Sequence, residues 1–223
     1  MHCRSRIQLR RGYVKMKAGL IIFQKNAIRG HVKTRLATSV GDDHALEIYN
    51  WLTTYTHQIA QQVKVDRYLF YSDFVPELAE DCKNDYQFEL QSGSNLGDRM
   101  HNAFKKLFEN GYSNVVIIGT DCADLEISDL NDAYMALSHS DLVIGPANDG
   151  GYYLLGMSGY HPEVFDEIPW STSKVLELTL DIANKLGLDY EFLNIRSDID
   201  TFEDWQNFTF RKKIKHVEIP KYF

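Results

Sequence analysis

Short apolar runs alternate with longer segments of helical period along the first half of the chain. Such runs, bounded by turn residues, predict buried strands, whereas apolar residues three and four positions apart predict helices. This strand–helix alternation predicts a mainly parallel sheet with right-handed crossovers and helices on both faces. Strands are expected at 19–23, 66–71, 88–90 and 114–119, and helices at 43–62, 76–83 and 96–110.

The second half of the chain continues this order with one change. The run at 151–157 follows a strand through a short turn, so we expect it to be antiparallel. No stretch rich in Pro, Gly or Ser interrupts the chain, and residues 16–223 are predicted to form one α/β domain with a mixed, mainly parallel sheet. The other predicted elements are strands at 141–145 and 190–194, and helices at 128–137, at 173–186 and from Thr201 onward.

The composition limits the classes of function. The 223 residues carry a formal net charge of -7, which argues against a nucleic-acid binder, since such proteins need a basic face. The apolar runs are far shorter than the roughly 20 residues that cross a bilayer. Cys3, Cys82 and Cys122 have no spacing typical of a disulfide framework or a zinc site. We therefore expect a cytoplasmic protein with no membrane span.

The first fifteen residues stand apart from this pattern. They contain Arg4, Arg6, Arg10, Arg11 and Lys15 but no acid, and Met16 directly precedes the first predicted strand. We interpret residues 1–15 as an extension that results from a misassigned start or is disordered. A transit peptide is the alternative, since such leaders are also rich in Arg and poor in acids.

The loop after the first strand is strongly basic. In open sheets of this kind, ligands bind beyond the carboxyl ends of the strands, so chemistry is expected in these loops. Arg and Lys bind phosphate oxygens, and glycine lets backbone N–H groups approach a ligand. The loop therefore predicts a phosphate site, unless it is an ordinary solvated surface. Around Gly30, its cationic or potentially cationic residues are Lys25, Arg29, His31, Lys33 and Arg35.

A carboxylate pair follows the buried run at 115–119. Asp121 stands at the end of this strand and Asp124 three residues later. A carboxylate in this place can hold Mg²⁺ or Mn²⁺, which offsets phosphate charge. Alternatively, Asp121 caps the following helix, since Asp is a strong cap former. Cys122 is a weaker candidate for a nucleophile, because no motif places a His beside it.

Two further acidic turns are candidates. In the NDGG turn, Asp149 can accept hydrogen bonds from an acceptor hydroxyl or act as a base, and Gly150 and Gly151 allow close approach. The same residues also suit a simple hairpin turn. Near the carboxyl terminus, Asp198 and Asp200 alternate at a strand end, from where they can converge with Asp121 on a metal. Thr201 and Asp204 have the spacing of a helix capping box.

The segment GSNLGDRMHNAF at 93–104 begins a helix after a polar, Gly-rich lead-in. Helix starts attract anions, so Arg99 is a candidate for nucleotide binding. The alternative is a well-capped helix without a ligand, with Asp98 in its first turn.

Taken together, five segments of the chain resemble one known family. They are the basic loop, LGDRM, GTDCADL, GPANDGGYYLLG and DIDTFED, in this order between about Lys17 and Trp205. The family is the radical-SAM/selenodomain-associated transferase family, bacterial proteins of the nucleotide-diphospho-sugar transferase (GT-A) superfamily. The resemblance implies a three-layer α/β/α fold of the GT-A type.

The resemblance also implies roles for individual residues. Lys25, Lys33 and Arg35 would contact nucleotide phosphates, and Asp121 would hold the metal, Mg²⁺ or Mn²⁺. Asp200, with Asp198, would complete the metal shell, and Asp149 would face a small-molecule acceptor.

The sequence departs from the family pattern at three positions. Ala27 and Arg29 replace two prolines of the basic loop, and Ala123 replaces the proline of the turn after the metal-binding aspartate. Many glycosyltransferases carry an acid-x-acid triplet, but here Asp121 is followed two residues later by Ala123. A flexible basic loop and weaker metal dependence are the expected consequences.

Three functions follow as hypotheses. The first is a glycosyltransferase that uses a nucleotide-diphospho-sugar donor. The second is a nucleotidyltransferase that moves a nucleoside monophosphate from a triphosphate to a phosphorylated acceptor, as guanylyltransferase relatives of the family do. The third is a nucleotide-binding protein without turnover. The basic and apolar tail at 210–220 is expected to pack within the chain, with a homodimer contact as the alternative.

Overall fold

A computed structural model describes residues 17–77 and 85–214, with side chains up to residue 210. Seven strands form one sheet. They are β1 (Ala18–Gln24), β2 (Asp66–Tyr71), β3 (Gln87–Leu90), β4 (Asn114–Ile118), β5 (Leu142–Pro146), β6 (Tyr152–Met157) and β7 (Tyr190–Phe192). The helices are α1 (Thr34–Val40), α2 (Asp42–Ala60), α3 (Leu96–Glu109), α4 (Ile127–Ala136), α5 (Val175–Leu186) and α6 (Phe202–Ile214), and a 3₁₀ turn spans Pro162–Phe165.

The sheet is mixed and mainly parallel. Its strand order is β3-β2-β1-β4-β6-β5-β7. Only β6 is antiparallel, and it lies between β4 and β5. The predicted α/β fold with a mixed, mainly parallel sheet and an antiparallel strand at 151–157 is therefore confirmed.

The central strands are buried on both faces because their apolar residues are continuous rather than alternating. On one face, Leu20 and Ile22 of β1 belong to a core with residues of α4. On the other face, Ile21 belongs to a core with Phe104 and Leu107 of α3. The helices thus cover both faces, which gives the expected three layers.

A third cluster supports the carboxyl-terminal part of the chain. Trp205 and Phe208 of α6 are 2% and 1% exposed and pack against Trp51 of α2. The same cluster includes Ala123 and Ile199, which come from the two loops that carry candidate carboxylates. Packing of α6 therefore also fixes these two loops.

Several predicted bounds shift by one or two residues, and two elements were not predicted. Helix α1 has only one buried residue, Leu36, so it leaves no apolar period in the sequence. The 3₁₀ turn is too short to show one. Pro76 and Glu77 lie in irregular chain, and the rest of the helix predicted at 76–83 falls outside the described residues, as does the tail beyond residue 214. Within the described residues, no helix combines the length and apolarity needed to cross a bilayer.

His57 connects α2 to the end of β1. Its Nε2 lies 2.8 Å from Gln24 Oε1, and its Nδ1 lies 3.0 Å from the Tyr86 hydroxyl. Burial lowers the pKa of His57 to about 4, since a charged imidazolium is poorly solvated there.

This low pKa predicts a loss of stability in acid. The unfolded chain binds a proton near pH 6.5, whereas the folded chain binds it only near pH 4. The contribution of His57 to the free energy of unfolding is therefore fully present above pH 6.5. About 3 kcal/mol of this contribution is lost by pH 4. Urea unfolding of wild type and His57→Gln across this pH range measures the effect. Equal pH slopes for the two proteins would contradict the assignment.

Candidate active site

The candidate residues meet at the carboxyl edge of the sheet. The loops after β1, β4 and β5 reach this edge, and so does the chain after β7. In open α/β sheets this edge is where ligands bind. The structure brings together Lys33, Asp121, Asp198 and Asp200, and it leaves Arg99 farther along the edge.

Lys33 lies at the centre of this group. Its side chain is only 4% exposed, and its Nζ lies 2.6 Å from Asp121 Oδ1 and 3.1 Å from Asp200 Oδ1. Its backbone adopts the left-handed conformation, with φ 48°, just before α1. Burial opposes the charged ammonium, but the two carboxylates outweigh it and raise the Lys33 pKa. Lys33 is therefore an internal cation that links three loops.

The chain segment 198–200 pairs with the end of β4. The Ile199 amide donates to the Asp121 carbonyl at 2.9 Å, and Cys122 and Asp198 form an antiparallel bridge. Burial and the charge of Asp121 raise the pKa of Asp198 to about 7. The pairing thus brings the chain segment of Asp198 and Asp200 to the end of β4, whereas their convergence with Asp121 on a metal stays a prediction.

Helix caps account for other acidic residues, but not for Asp121. Glu126 caps α4, and Asp129 completes its capping box, so the alternative of Asp121 as the cap is wrong. The predicted box at the start of α6 is confirmed, since Asp204 accepts from the Thr201 amide at 2.7 Å and donates its own amide to the Thr201 hydroxyl. Asp121 is left with Lys33 as its ion-pair partner among the described residues.

The basic loop is neutralised partly by the chain itself. Arg29 forms a bidentate pair with Asp43, at 2.6 and 3.1 Å, and lies 3.6 Å from Asp42. With Lys33 also paired, carboxylates of the chain offset part of the charge of the loop, and the phosphate site stays a prediction. The signal was in the sequence, because Asp42 and Asp43 open the helix that follows the loop.

Two cations of the loop still face solvent. Lys25 is exposed, and its carbonyl accepts a hydrogen bond from the buried Tyr49 hydroxyl at 2.8 Å. Arg35 is 80% exposed and lies 3.9 Å from Asp200. Gly30 has φ 76°, a conformation that favours glycine. Lys25 and Arg35 can therefore reach an anion outside the protein surface.

The NDGG turn is ordered by its own hydrogen bonds. The Gly151 amide donates to Asp149 Oδ1 at 2.9 Å, and the Gly150 amide donates to the Ala147 carbonyl at 3.2 Å. The Asn148 side chain donates to the Ser197 hydroxyl at 2.6 Å, and the Asn148 amide donates to the Arg196 carbonyl at 3.2 Å. The turn therefore contacts the segment that leads to Asp198.

Gly150 provides a sensitive test of this turn. Its φ is 89°, and a Cβ atom here would lie 2.2 Å from the Ser173 carbonyl oxygen. Gly150→Ala is expected to lower the free energy of unfolding by about 2 kcal/mol, because backbone strain and overlap add. In Gly151→Ala the closest atom would be 3.3 Å away, so it serves as the matched control in urea unfolding. Equal losses in both variants would contradict this account.

Arg99 lies at the junction of β3 and α3. Its Nε is 3.3 Å from the Gly93 carbonyl and its Nη1 is 3.4 Å from Gln91 Oε1. The Asn95 side chain caps α3 by accepting from the Asp98 amide. The α3 helix is therefore well capped, and the described contacts of Arg99 are with the chain that follows β3.

The sequence did not reveal the loop 169–174. A Cβ on Gly97 would lie 2.0 Å from Trp170 Nε1, and Ser173 packs equally closely on Gly150. The loop therefore contacts both the start of α3 and the NDGG turn. Its hydroxyl-rich sequence has no period, and only the two glycines could have indicated a close contact.

Cys122 is not suited to be a nucleophile. The thiol is buried and free, and burial raises its pKa far above the usual range. A nucleophilic cysteine needs the opposite shift.

The acidic group fits a metal ion in its chemistry but not in its present arrangement. Carboxylate oxygens are the ligands that Mg²⁺ prefers. However, within the described residues no three Asp, Glu, His or Cys side chains are placed to hold a metal. The Lys33 ammonium contacts one oxygen each of Asp121 and Asp200 instead.

These features define the fold class as that of the nucleotide-diphospho-sugar transferases and their nucleotidyltransferase relatives. A profile of the family DUF2064, described as an uncharacterized protein conserved in bacteria, matches residues 55–172. The chain belongs to this family. The match includes Asp121 and the NDGG turn but neither the basic loop nor Asp200. Among curated proteins, none matches the chain.

Solved structures support the fold class. A crystal structure from Desulfovibrio desulfuricans G20, provisionally described as a nucleotide-diphospho-sugar transferase, is 33% identical. The alignment covers 89% of this chain and 88% of that chain, with a TM-score of 0.81. The association with radical-SAM and selenodomain proteins stays a prediction.

Two distant structures share the fold. A cytidylyltransferase from Leptospira borgpetersenii is 12% identical, with a TM-score of 0.55 and coverage of 93% of this chain and 90% of that chain. Glucosyl-3-phosphoglycerate synthase from Mycobacterium tuberculosis, crystallised with Mn²⁺, UDP and glucosyl-3-phosphoglycerate, is 11% identical. Its TM-score is 0.51, and the alignment covers 90% of this chain and 78% of that chain.

Proposed function

We propose that this protein is a transferase that moves a sugar from a nucleotide-diphospho-sugar to a small-molecule acceptor. The observation that carries the proposal is the meeting of exposed cations and three carboxylates at the carboxyl edge of the sheet. Lys33 ties the basic loop to Asp121 and Asp200 there. The likeness to the Desulfovibrio structure supports the same class of donor.

In this proposal, the basic loop binds the diphosphate of the donor. Lys25 and Arg35 are exposed at the site and carry the charge that phosphate oxygens require. Gly30 allows the backbone to approach the phosphates, and Arg99 lies on the side of the nucleoside. Mg²⁺ or Mn²⁺, held by Asp121, Asp198 and Asp200, would offset the charge of the leaving diphosphate.

The NDGG turn belongs to the acceptor side. Asp149 accepts a proton or hydrogen bond from the acceptor hydroxyl, while Gly150 and Gly151 form the turn that holds Asp149, with Gly150 packed against Ser173. The hydroxyl oxygen attacks the anomeric carbon, the bond from this carbon to the phosphate oxygen breaks, and the nucleoside diphosphate leaves. Most of the rate enhancement comes from positioning and from stabilised charge.

Nucleotidyl transfer is the second candidate because the second acid of the acid-x-acid triplet of many glycosyltransferases is missing. Ala123 replaces the second acid of the acid-x-acid triplet and is fully buried beside Ile199 and Trp205. No carboxylate can therefore reach the metal from this position. In this alternative, a phosphorylated acceptor attacks the α-phosphorus of a nucleoside triphosphate and pyrophosphate leaves. The fold shared with a cytidylyltransferase is compatible with it.

A thermal-shift screen tests both candidates. Nucleoside triphosphates and nucleotide-diphospho-sugars are compared with and without Mn²⁺, since a ligand that binds only the folded state raises Tm. We expect a metal-dependent rise with one sugar nucleotide, followed by its turnover with an acceptor. A preference for a triphosphate would favour nucleotidyl transfer. Binding without turnover would indicate a nucleotide-binding protein, and no response to any nucleotide would refute all three.

A further inference from the structure

Lys33 contacts the two carboxylate oxygens that would otherwise be open to a metal ion. Its Nζ lies 2.6 Å from Asp121 Oδ1 and 3.1 Å from Asp200 Oδ1. An ammonium at these distances satisfies the carboxylates as a hydrogen-bond donor and neutralises their charge. The acidic group is therefore already occupied by a cation of the protein itself.

We propose that Lys33 and a divalent metal compete for Asp121 and Asp200, so that metal binding requires the Lys33 ammonium to leave these carboxylates. This inference rests on the proposed function, from which it takes the metal and the donor phosphates. It changes the role of Lys33 from a fixed phosphate ligand to an exchangeable cation.

The distances support competition. Mg²⁺ and similar ions bind carboxylate oxygens at about 2.1 Å and need several oxygen ligands around them. An ammonium bonded to the same two side chains withholds two of those oxygens and repels the incoming ion. In agreement, the described side chains as they stand include no trio that could hold a metal.

The exposed fractions of the three side chains show that a metal ion from solution can reach the carboxylates. Asp121 and Asp200 are 41% and 48% exposed, so an ion from solution reaches both carboxylates. Lys33, at 4% exposed, contacts them from the buried side. Once displaced, its charge needs a new partner, and a donor phosphate held by Lys25 and Arg35 provides one.

The exchange couples the metal to the nucleotide. If phosphate draws Lys33 away from the carboxylates, phosphate raises the affinity for the metal, and the metal raises the affinity for phosphate by the same factor. The protein without ligand remains neutralised internally and binds the metal weakly.

Mn²⁺ binding to the nucleotide-free protein tests the competition. Free Mn²⁺ is measured by electron paramagnetic resonance with wild type, Lys33→Met and Lys25→Met. We expect Lys33→Met to bind Mn²⁺ about tenfold more tightly, because the competing cation is gone. Lys25→Met removes the same charge from the same loop without touching the carboxylates, and its Kd should stay within about twofold of wild type. Adding Asp121→Asn to Lys33→Met should abolish the gain.

An unchanged or weaker Kd in Lys33→Met would overturn the proposal, since Lys33 would then hold the carboxylates in place for the metal. An equal gain in Lys25→Met would also overturn it, because the effect would be one of general charge.

Amine labelling of the wild-type protein gives a second measurement that does not depend on a variant that folds. Lys33 is expected to react slowly with an acylating reagent without metal and severalfold faster with Mn²⁺, as mass spectrometry of the labelled peptides shows. Labelling of Lys25 is the internal reference. No increase at Lys33 under saturating Mn²⁺ would overturn the exchange.

The outcomes separate this inference from the proposed function. Tighter Mn²⁺ binding by Lys33→Met without turnover of any donor would refute the function and leave the competition. If wild type turns over a sugar nucleotide while the Kd of Lys33→Met for Mn²⁺ is unchanged, the proposed function stands and the competition is refuted.

Discussion

Trp205→Ala is expected to lower the free energy of unfolding by about 4 kcal/mol. The indole is 2% exposed and packs against Trp51 and Phe208, so its removal leaves a cavity that the neighbouring aromatic rings cannot fill. The cluster also includes Ala123 and Ile199, so the loops that carry the carboxylates should loosen as well. Urea unfolding monitored by circular dichroism measures the loss.

Phe210→Ala is the matched control for this prediction. Phe210 lies on the same helix as Trp205, but its side chain is 68% exposed. The change to alanine should therefore alter stability by no more than about 0.5 kcal/mol. Similar losses in the two variants would show that α6 is not fixed through its aromatic cluster.

Asp121→Asn is expected to reduce turnover of the identified donor by about 100- to 1,000-fold. The carboxylate is the first candidate ligand for the metal and the closest partner of Lys33, and an amide keeps its shape without its charge. Binding of the nucleotide without metal should change little, because the exposed cations of the basic loop remain. Steady-state kinetics and calorimetry separate the two effects.

Asp132→Asn controls for the change in net charge. Asp132 is exposed on α4, and its replacement alters the charge of the protein by the same amount. Turnover by this variant should equal that of wild type. If Asp121→Asn also retains full turnover, Asp121 has no part in the reaction.

The sheet was largely predictable because its strands are short apolar runs that need burial on both faces. The run at 114–118 is buried at every position, and such a run has few other places in a fold. The antiparallel β6 was predictable as well, because a connection of five residues cannot provide the crossover that a parallel strand needs. Helix α1 was missed, since a single buried leucine gives no period.

The sequence indicated which residues form the candidate site but not which contacts they make with one another. The positions of Asp121 and Asp200 at strand ends indicated that they would meet. No sequence pattern indicated that Lys33 would lie between them, because its partners are 88 and 167 residues away along the chain. The pairing of Arg29 was not predicted either, because its partners Asp42 and Asp43 lie in α2 rather than in the loop.

The pairing of segment 198–200 with the end of β4 also has a consequence for how the protein is made. A ribosome has synthesised most of the sheet, including Asp121, before Asp200 appears, so the nascent chain carries Lys33 with only one of its carboxylates. Contacts of such long sequence separation form late in folding. The edge that carries the candidate site is therefore completed by the last quarter of the chain, and an incomplete product of translation would lack both the second carboxylate of Lys33 and the aromatic packing of α6.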